Sequence, residues 1–265
     1  ENYRTSKGKR FGTLIESLIH LGRIRKRRRI SQFMKPGKIL DIGCGRGLFL
    51  DVMRSGGWST IGTELNEETA SYAIKVYDLK ILSGDIIQHQ LPAESLNAIN
   101  INQVLEHLKN PNKVIAECHR LLRKDGVLVI SVPDLRSLQF TIGKENWFLL
   151  DLPFHLFHFT EEGLSRLLKK NKFKIKRIKR FSLEYSPFGW LQTLFNISKI
   201  RFNLLYDLLK TSELREGEVN SIKPTEIIAT LFLLPIYFPV ALMLSVLEPL
   251  LWKRGGSIEV YALKE

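Results

Sequence analysis

The sequence predicts an α/β fold, a mostly parallel sheet with helices on both faces and an apolar helical excursion before the last strand. Three observations predict it. Short apolar runs alternate with helical patterns between residues 38 and 132, the arrangement of successive βαβ units. A glycine-rich turn, Gly43-Cys44-Gly45-Arg46-Gly47, joins the first run to the first of those helices. Residues 227–247 carry no charge, and an alternating strand-like segment, 257–263, follows them.

In chain order, residues 1–10 are polar and read as loose. Phe11 to Ile30 reads as an amphipathic helix with Leu14, Ile15, Leu18, Ile19 and Leu21 as its apolar stripe. Strands are expected at 38–42, 59–64, 80–82, 97–102 and 126–132, with helices at 47–56, 67–77 and 111–123 between them. Thr160 is the expected N-cap of a helix over 161–170, and 173–183 reads as a basic edge strand. The domains expected are a basic amphipathic helix (1–35), a sheet domain (36–186 and 254–265) and an apolar helical insertion (187–253).

The 265 residues suffice for one substantial core, and a hydrophobic fraction of 44% is that of an ordinary globular protein. Two cysteines, Cys44 and Cys118, cannot build a disulfide framework, so a reducing compartment fits; no metal-ligand spacing occurs, and no metal is expected. The chain opens on Glu1 rather than Met, which reads as a start inside a longer polypeptide. The net charge of +13 is concentrated: 23–29 and 169–180 carry basic side chains without one acid, and the remainder is close to neutral. Such runs suit an anionic surface, phospholipid or nucleic acid, or are solvated faces.

At the glycine turn, residues without Cβ let the chain reverse sharply and bring backbone close to a ligand beyond the strand end. Glu64, at the end of the second strand, stands where an acid would hold ribose hydroxyls. A nicotinamide dinucleotide is disfavoured. The spacing is Gly-x-Gly-x-Gly, and Asp41 precedes it, where its carboxylate would repel a pyrophosphate but attract a cationic ligand. Five landmarks in order, Asp41-Ile-Gly-Cys-Gly-Arg-Gly47, Thr63-Glu64, Gly84-Asp85-Ile86, Val104-Leu-Glu-His107 and Leu122-Arg-Lys-Asp-Gly126, resemble the class I S-adenosylmethionine-dependent methyltransferases.

That resemblance covers residues 38–132. It implies a Rossmann-like, seven-stranded sheet with S-adenosylmethionine as cofactor and S-adenosylhomocysteine as product. It places Gly43, Cys44 and Gly45, with Asp41, near the methionine portion. Glu64 and Leu65 would lie at the ribose, Asp85 and Ile86 at the adenine, and Asn102, Gln103 and Val104 along the methionine side. Asn97 departs from the acid usual at the start of the fourth strand, a position that is mostly structural. Glu106 and His107 mostly order the loop after that strand in related domains.

Direct displacement from a sulfonium needs an in-line acceptor and, for a hydroxyl, loss of a proton. The stretch Trp147-Phe-Leu-Leu-Asp-Leu-Pro-Phe-His-Leu-Phe-His-Phe159 resembles one found in a bacterial methyltransferase subgroup often associated with glycan or envelope biosynthesis. His155 is the expected general base, oriented by Asp151 or His158, since imidazole titrates near neutrality; packed loop histidines are the alternative.

The uncharged run is about 31 Å long as a helix, enough to cross a bilayer. The resemblance implies that strands 173–183 and 257–263 lie in one sheet, however, so a single crossing between them is excluded. Pro235 and Pro239 read as a bend between two short helices. The insertion is therefore expected to be a lid, a dimer contact or an element lying in one leaflet, the last reinforced by 23–29 beside an anionic surface. The leading expectation is a cytoplasmic enzyme, peripheral at the inner face of the membrane in that version. It would methylate a hydroxyl or carboxyl of a small-molecule, glycan or lipid-linked acceptor. The alternatives are an RNA methyltransferase and a non-catalytic cofactor-binding scaffold. Asn102-Gln-Val-Leu105 lacks the Asn/Asp-Pro-Pro-aromatic loop that would hold an extruded base, which disfavours nucleic acid.

Overall fold

The structure, a computed structural model, describes residues 12–209 and 222–265, so the stretch expected to be loose, 1–10, lies outside the described residues. The described residues divide into two compact units, one formed by 23–133, 153–179 and 258–265, the other by 12–22, 134–152, 180–209 and 222–257. A helix, α1 (Thr13–Ile30), runs through the boundary.

The first unit is the sheet. β1 (Lys38–Ile42), β2 (Ser59–Glu64), β3 (Ile81–Ser83), β4 (Leu96–Asn102), β5 (Leu122–Pro133), β6 (Phe173–Lys179) and β7 (Ser257–Lys264) form seven strands in the order β3-β2-β1-β4-β5-β7-β6. The first five pair in parallel, and β6 pairs antiparallel with β7 at the edge. The order reverses at β1, which has β2 on one side and β4 on the other. That reversal opens a crevice at the strand ends.

Alternation puts Leu40, Ile42, Ile99, Ile101, Leu128 and Ile130 in one core cluster, and Ile39, Ala98, Val127, Val129 and Tyr261 in another. Burying each such aliphatic side chain contributes about 1.5–3 kcal/mol. α2 (Leu48–Arg54), α3 (Glu67–Tyr77), α4 (Pro111–Leu121) and α6 (Glu161–Lys170) link the strands. Asn66 and Thr160 cap α3 and α6, their side chains accepting from the amides of Thr69 and Gly163.

Several strand boundaries differ from expectation, β4 and β7 by a single residue each. β5 begins at Leu122, because Leu122 pairs with Leu96 across an irregularity before the regular ladder starts at Val127. β6 ends at Lys179, where β7 supplies its last partner, Glu259. β3 is shifted by one residue. Asn97 serves the sheet itself, since its Oδ1 accepts from the Lys38 amide at 2.8 Å and fixes the start of β1.

In the helical unit, α5 (Leu138–Gly143), α7 (Ser186–Ile197), α8 (Leu204–Leu209) and α9 (Pro224–Leu251) accompany two short 3-10 turns, Lys144–Asn146 and Phe148–Leu150. Trp190, Leu191 and Phe195 of α7 pack with Leu205 and with Leu233, Leu234, Tyr237, Ala241 and Leu244 of α9. Along α1, Ile19 is buried, whereas Leu18 and Leu21, expected in the same stripe, are exposed.

The expected pair of short helices is one helix of 28 residues that passes through Pro235, Pro239 and Pro249. Each proline removes one amide donor and leaves one carbonyl without its helical partner. Pro235 and Pro239 lie four apart on the exposed side, in line with Leu231, so the missing bonds fall on the face opposite α7. The inner face keeps its ladder and its packing, and packing of this kind supplies most helical stability.

Candidate functional site

The glycine turn lies at the C-terminal end of β1. Gly43 and Gly45 have φ of 67° and 54°, in the left-handed region that favours glycine. A Cβ on Gly43 would come 2.5 Å from Val104 Cγ2, so Val104 closes that side of the turn. A Cβ on Gly45 would meet nothing within 4 Å, so open space begins at Gly45. Both oxygens of Glu64 face backbone: Oε2 accepts from the Gly45 amide at 2.9 Å and Oε1 from the Asn66 amide at 3.0 Å. Leu65, next to it, is exposed.

Asp41 is buried in β1. Its Oδ1 accepts from Asn100 Nδ2 at 2.6 Å, the two residues standing opposite each other in the β1–β4 register. Burial pushes the Asp41 carboxyl up to about 7, against the Asn100 hydrogen bond and the positive charge of Lys26; Glu64 raises it further. Cys44 is buried, and burial with the nearby Asp41 and Glu64 pushes its thiol far above the ordinary range, which disfavours the thiolate. Asp85 accepts from the Ile87 amide at 3.0 Å and caps the turn Ile86–His89, in which Ile86 is buried. Gln103 has φ 53° and donates its amide to the Ser131 carbonyl.

Two participants here are not evident from the sequence pattern. Asn100 is a polar residue in a strand of otherwise apolar inward positions, and that anomaly was its only signal. Lys26, from the basic run, donates to Asn102 Oδ1 at 2.7 Å and to Ser131 Oγ at 3.1 Å, and pairs with Glu259 at 3.0 Å. Arg29 reaches the same carboxylate, and Arg27 donates to the Val52 carbonyl and Ser55. Burial alone would raise Glu259, but Lys26, the Tyr261 hydroxyl and Arg29 outweigh it and hold the carboxyl below its usual range. Half of the run 23–29 is thus committed to holding α1 on the sheet unit.

Of the residues expected on the acceptor side, Asp151 is exposed in the helical unit, in left-handed conformation after the turn Phe148–Leu150. Trp147, also in that unit, is fully buried and donates to Gln139 Oε1, so it is a core anchor. His155 is buried in the sheet unit, its ring 4.6 Å from that of His107 and 6.2 Å from that of His158. Glu106 joins His107 and His155, with one ligand-capable atom of each within 4.8 Å of the others. No local spacing could announce this cluster, since the loop after β4 and the loop before α6 supply it jointly.

In the helical unit, Glu248 is buried within α9 and accepts from the Leu138 amide at 2.7 Å and Trp190 Nε1 at 2.9 Å. Its carboxyl is raised, chiefly by burial. Leu135, Arg136, Phe140, Thr141, Lys144 and Arg254 line a cavity of about 380 Å³ with three cations and no acid. Most of α9 faces outward: Ile228, Leu231, Phe232, Leu250 and Leu251 are each more than 60% exposed. Among the described residues it is the one helix long and apolar enough to cross a membrane, by length and composition alone.

Residues 18–177, more than half of the chain, match the methyltransferase domain family, and the chain belongs to it. It is 28% identical over 139 residues to a probable S-adenosylmethionine-dependent methyltransferase of Mycolicibacterium smegmatis, 52% of each chain. It is 33% identical over 104 residues to a ubiquinone biosynthesis O-methyltransferase of Actinobacillus pleuropneumoniae, 36% of this chain and 44% of that one. The chain therefore spans about half the length of the curated relatives it matches. An S-adenosylmethionine-dependent methyltransferase structure from Archaeoglobus fulgidus shares the fold, with a TM-score of 0.57 at 21% identity over 92% of this chain and 93% of that one. The chain thus has a Rossmann-like fold, and family and fold together imply S-adenosylmethionine as cofactor. The turn fits that group. Gly45 borders open space, and a buried carboxylate waits for a positive charge at the end of β1.

Proposed function

We propose that the chain methylates a hydroxyl or carboxyl oxygen of a small, lipid-linked or glycan acceptor. The observation that carries this is the placement of His155 beside Glu106 and His107, at the loop that follows β4. Polar groups there can engage an acidic oxygen, whereas a nucleobase-holding Pro-Pro-aromatic loop is absent from 102–105.

S-adenosylmethionine supplies the electrophilic methyl group. On this reading Asp41, Asn102, Gln103 and Val104, with the Gly43-Cys44-Gly45 backbone, hold its amino acid portion. Glu64 and Leu65 hold the ribose, and Asp85 with Ile86 the adenine. The Glu64 carboxylate keeps lone pairs beyond its two amide bonds, enough for a pair of hydroxyls. Asp41 offers a counter-charge that a cationic ligand stabilises. The His155 cluster activates the acceptor oxygen, with His158 as a further acceptor contact. The ubiquinone-pathway relative, named an O-methyltransferase, supports an oxygen acceptor.

The apolar outer face of α9 and the three-cation cavity support a lipid-borne acceptor at an anionic membrane surface. The cavity suits a phosphate headgroup and the helix a hydrocarbon tail. Envelope-glycan precursors have this chemistry. The test is transfer of a labelled methyl from S-adenosylmethionine to lipid, glycan and RNA fractions of native cells. His155→Ala should reduce turnover with the accepted fraction at least about 100-fold, while calorimetric affinity for S-adenosylhomocysteine stays within about twofold. Label in RNA alone, or unchanged turnover in His155→Ala, contradicts the reading.

A further inference from the structure

We infer that Glu106, His107 and His155 form a site for one divalent transition-metal ion of the zinc or iron(II) type. One ligand atom from each side chain lies within 4.8 Å of the other two. The backbone ties their loops together: the amides of Leu156 and Phe157 both donate to the Glu106 carbonyl oxygen, at 2.9 and 3.1 Å. Glu106 is 1% and His155 8% exposed, while His107 faces solvent. The cluster is thus closed on the protein side and open on one other.

One ring nitrogen of His107 is already engaged by the backbone. Its Nδ1 lies 3.1 Å from the Phe154 carbonyl oxygen, which can only accept, so Nδ1 carries the hydrogen and Nε2 the lone pair. A metal-bound imidazole generally has its other nitrogen engaged in this manner. Two imidazoles and a carboxylate favour zinc or iron(II) over magnesium or calcium, which prefer oxygen throughout. Tetrahedral ligands at about 2.1 Å from zinc stand about 3.4 Å apart, so the widest pair must close by about 1.4 Å. Three protein ligands leave a coordination position free, as in reactive rather than purely structural sites.

The proposed oxygen acceptor bears on this site in one respect: the free position would take the acceptor oxygen, with His155 a ligand and not the general base expected from its titration range. Metal binding itself needs no acceptor, so it can be measured alone. The full chain, stripped with a chelator, is titrated with cobalt(II), read by its visible absorption, and with zinc(II) in competition. One ion per chain is expected, with zinc affinity falling at least about tenfold in His107→Asn and further in Glu106→Gln and His155→Ala. His107 is exposed, so its variant reports even where substitution of buried Glu106 disturbs folding, and S-adenosylhomocysteine binding verifies each fold. Absence of a stoichiometric ion, or unchanged affinity in His107→Asn, overturns the site. One cobalt per chain without transfer to any hydroxyl or carboxyl would remove the acceptor assignment and leave the metal site standing. Transfer to such an acceptor with no stoichiometric ion would do the reverse.

Discussion

The sheet unit and the helical unit place their polar groups by opposite rules. In the sheet unit, acids gather at strand ends and meet side-chain or backbone amides or cations: Asp41 with the Asn100 side chain, Glu64 with the Gly45 and Asn66 backbone, Glu259 with Lys26 and Arg29. In the helical unit the buried Glu248 ties α9 to α5 and α7, and most of the rest of α9 is apolar inside and out. A soluble helix ordinarily segregates its faces. One unit gathers its acids at strand ends, an arrangement suited to a small charged ligand, and the other leaves a large apolar face that water does not favour.

The same contrast explains what could be read from residues alone. Strands announce themselves by short apolar runs, and the glycines mark their own turn, so the order of the sheet unit was legible from 38 to 132. The acids proposed to hold the cofactor drew notice because each stands at a strand end. Asn100 was not, since its meaning depends on facing Asp41 across the ladder, and neither was Lys26, which reads locally as one more surface charge. His155 drew notice through its neighbours in sequence, whereas its approach to Glu106 is purely tertiary. Prolines carry a strong local signal, and at 235 and 239 that signal misled: the outer face tolerates the lost hydrogen bonds while the inner face packs on α7.

The sharpest way to break the comparison is at Gly45. Alanine there costs about 1–2 kcal/mol for its left-handed backbone, yet its Cβ meets nothing in the protein. Gly45→Ala should therefore keep the chain folded, with thermal unfolding lowered by only a few degrees, while affinity for S-adenosylhomocysteine drops about 100-fold. Calorimetry and a melting curve on the same sample decide it. Unimpaired binding would mean that the open space beside Gly45 is not the cofactor's.

A smaller effect should follow pH. The Asp41 carboxyl, raised to about 7, is largely protonated in the free protein below that pH, whereas a cationic amino group and sulfonium favour its ionised form. Cofactor affinity should rise about tenfold per pH unit towards 7, level off above it, and be accompanied by proton release below it. In the free protein the sign is opposite. A carboxyl with a raised folded value contributes most to stability below its ordinary range near 4, and that contribution is lost as pH rises through about 7. Asp41→Asn should therefore be more stable than wild type above pH 7 without cofactor, and its binding should be flat with pH. Calorimetry in buffers of different ionisation enthalpy measures the proton; a pH-independent affinity in the wild type would assign the counter-charge role elsewhere.

The least costly substitutions lie on α9, and they sharpen the comparison most. Leu231 and Phe232 are 63% and 73% exposed, so changing both to serine should alter stability by no more than about 0.5 kcal/mol per site. Were the face covered by lipid, each large side chain would add up to about 1.5–3 kcal/mol of burial on binding. The double variant should then lose most of its flotation with anionic liposomes, while cofactor affinity in the sheet unit stays unchanged. A second copy of the chain makes a different forecast: wild type would sediment as a dimer without lipid, and the variant as a monomer. Equal flotation with a shifted oligomeric state would assign the apolar face to protein, and the apolar character of the helical unit would then be that of an interface.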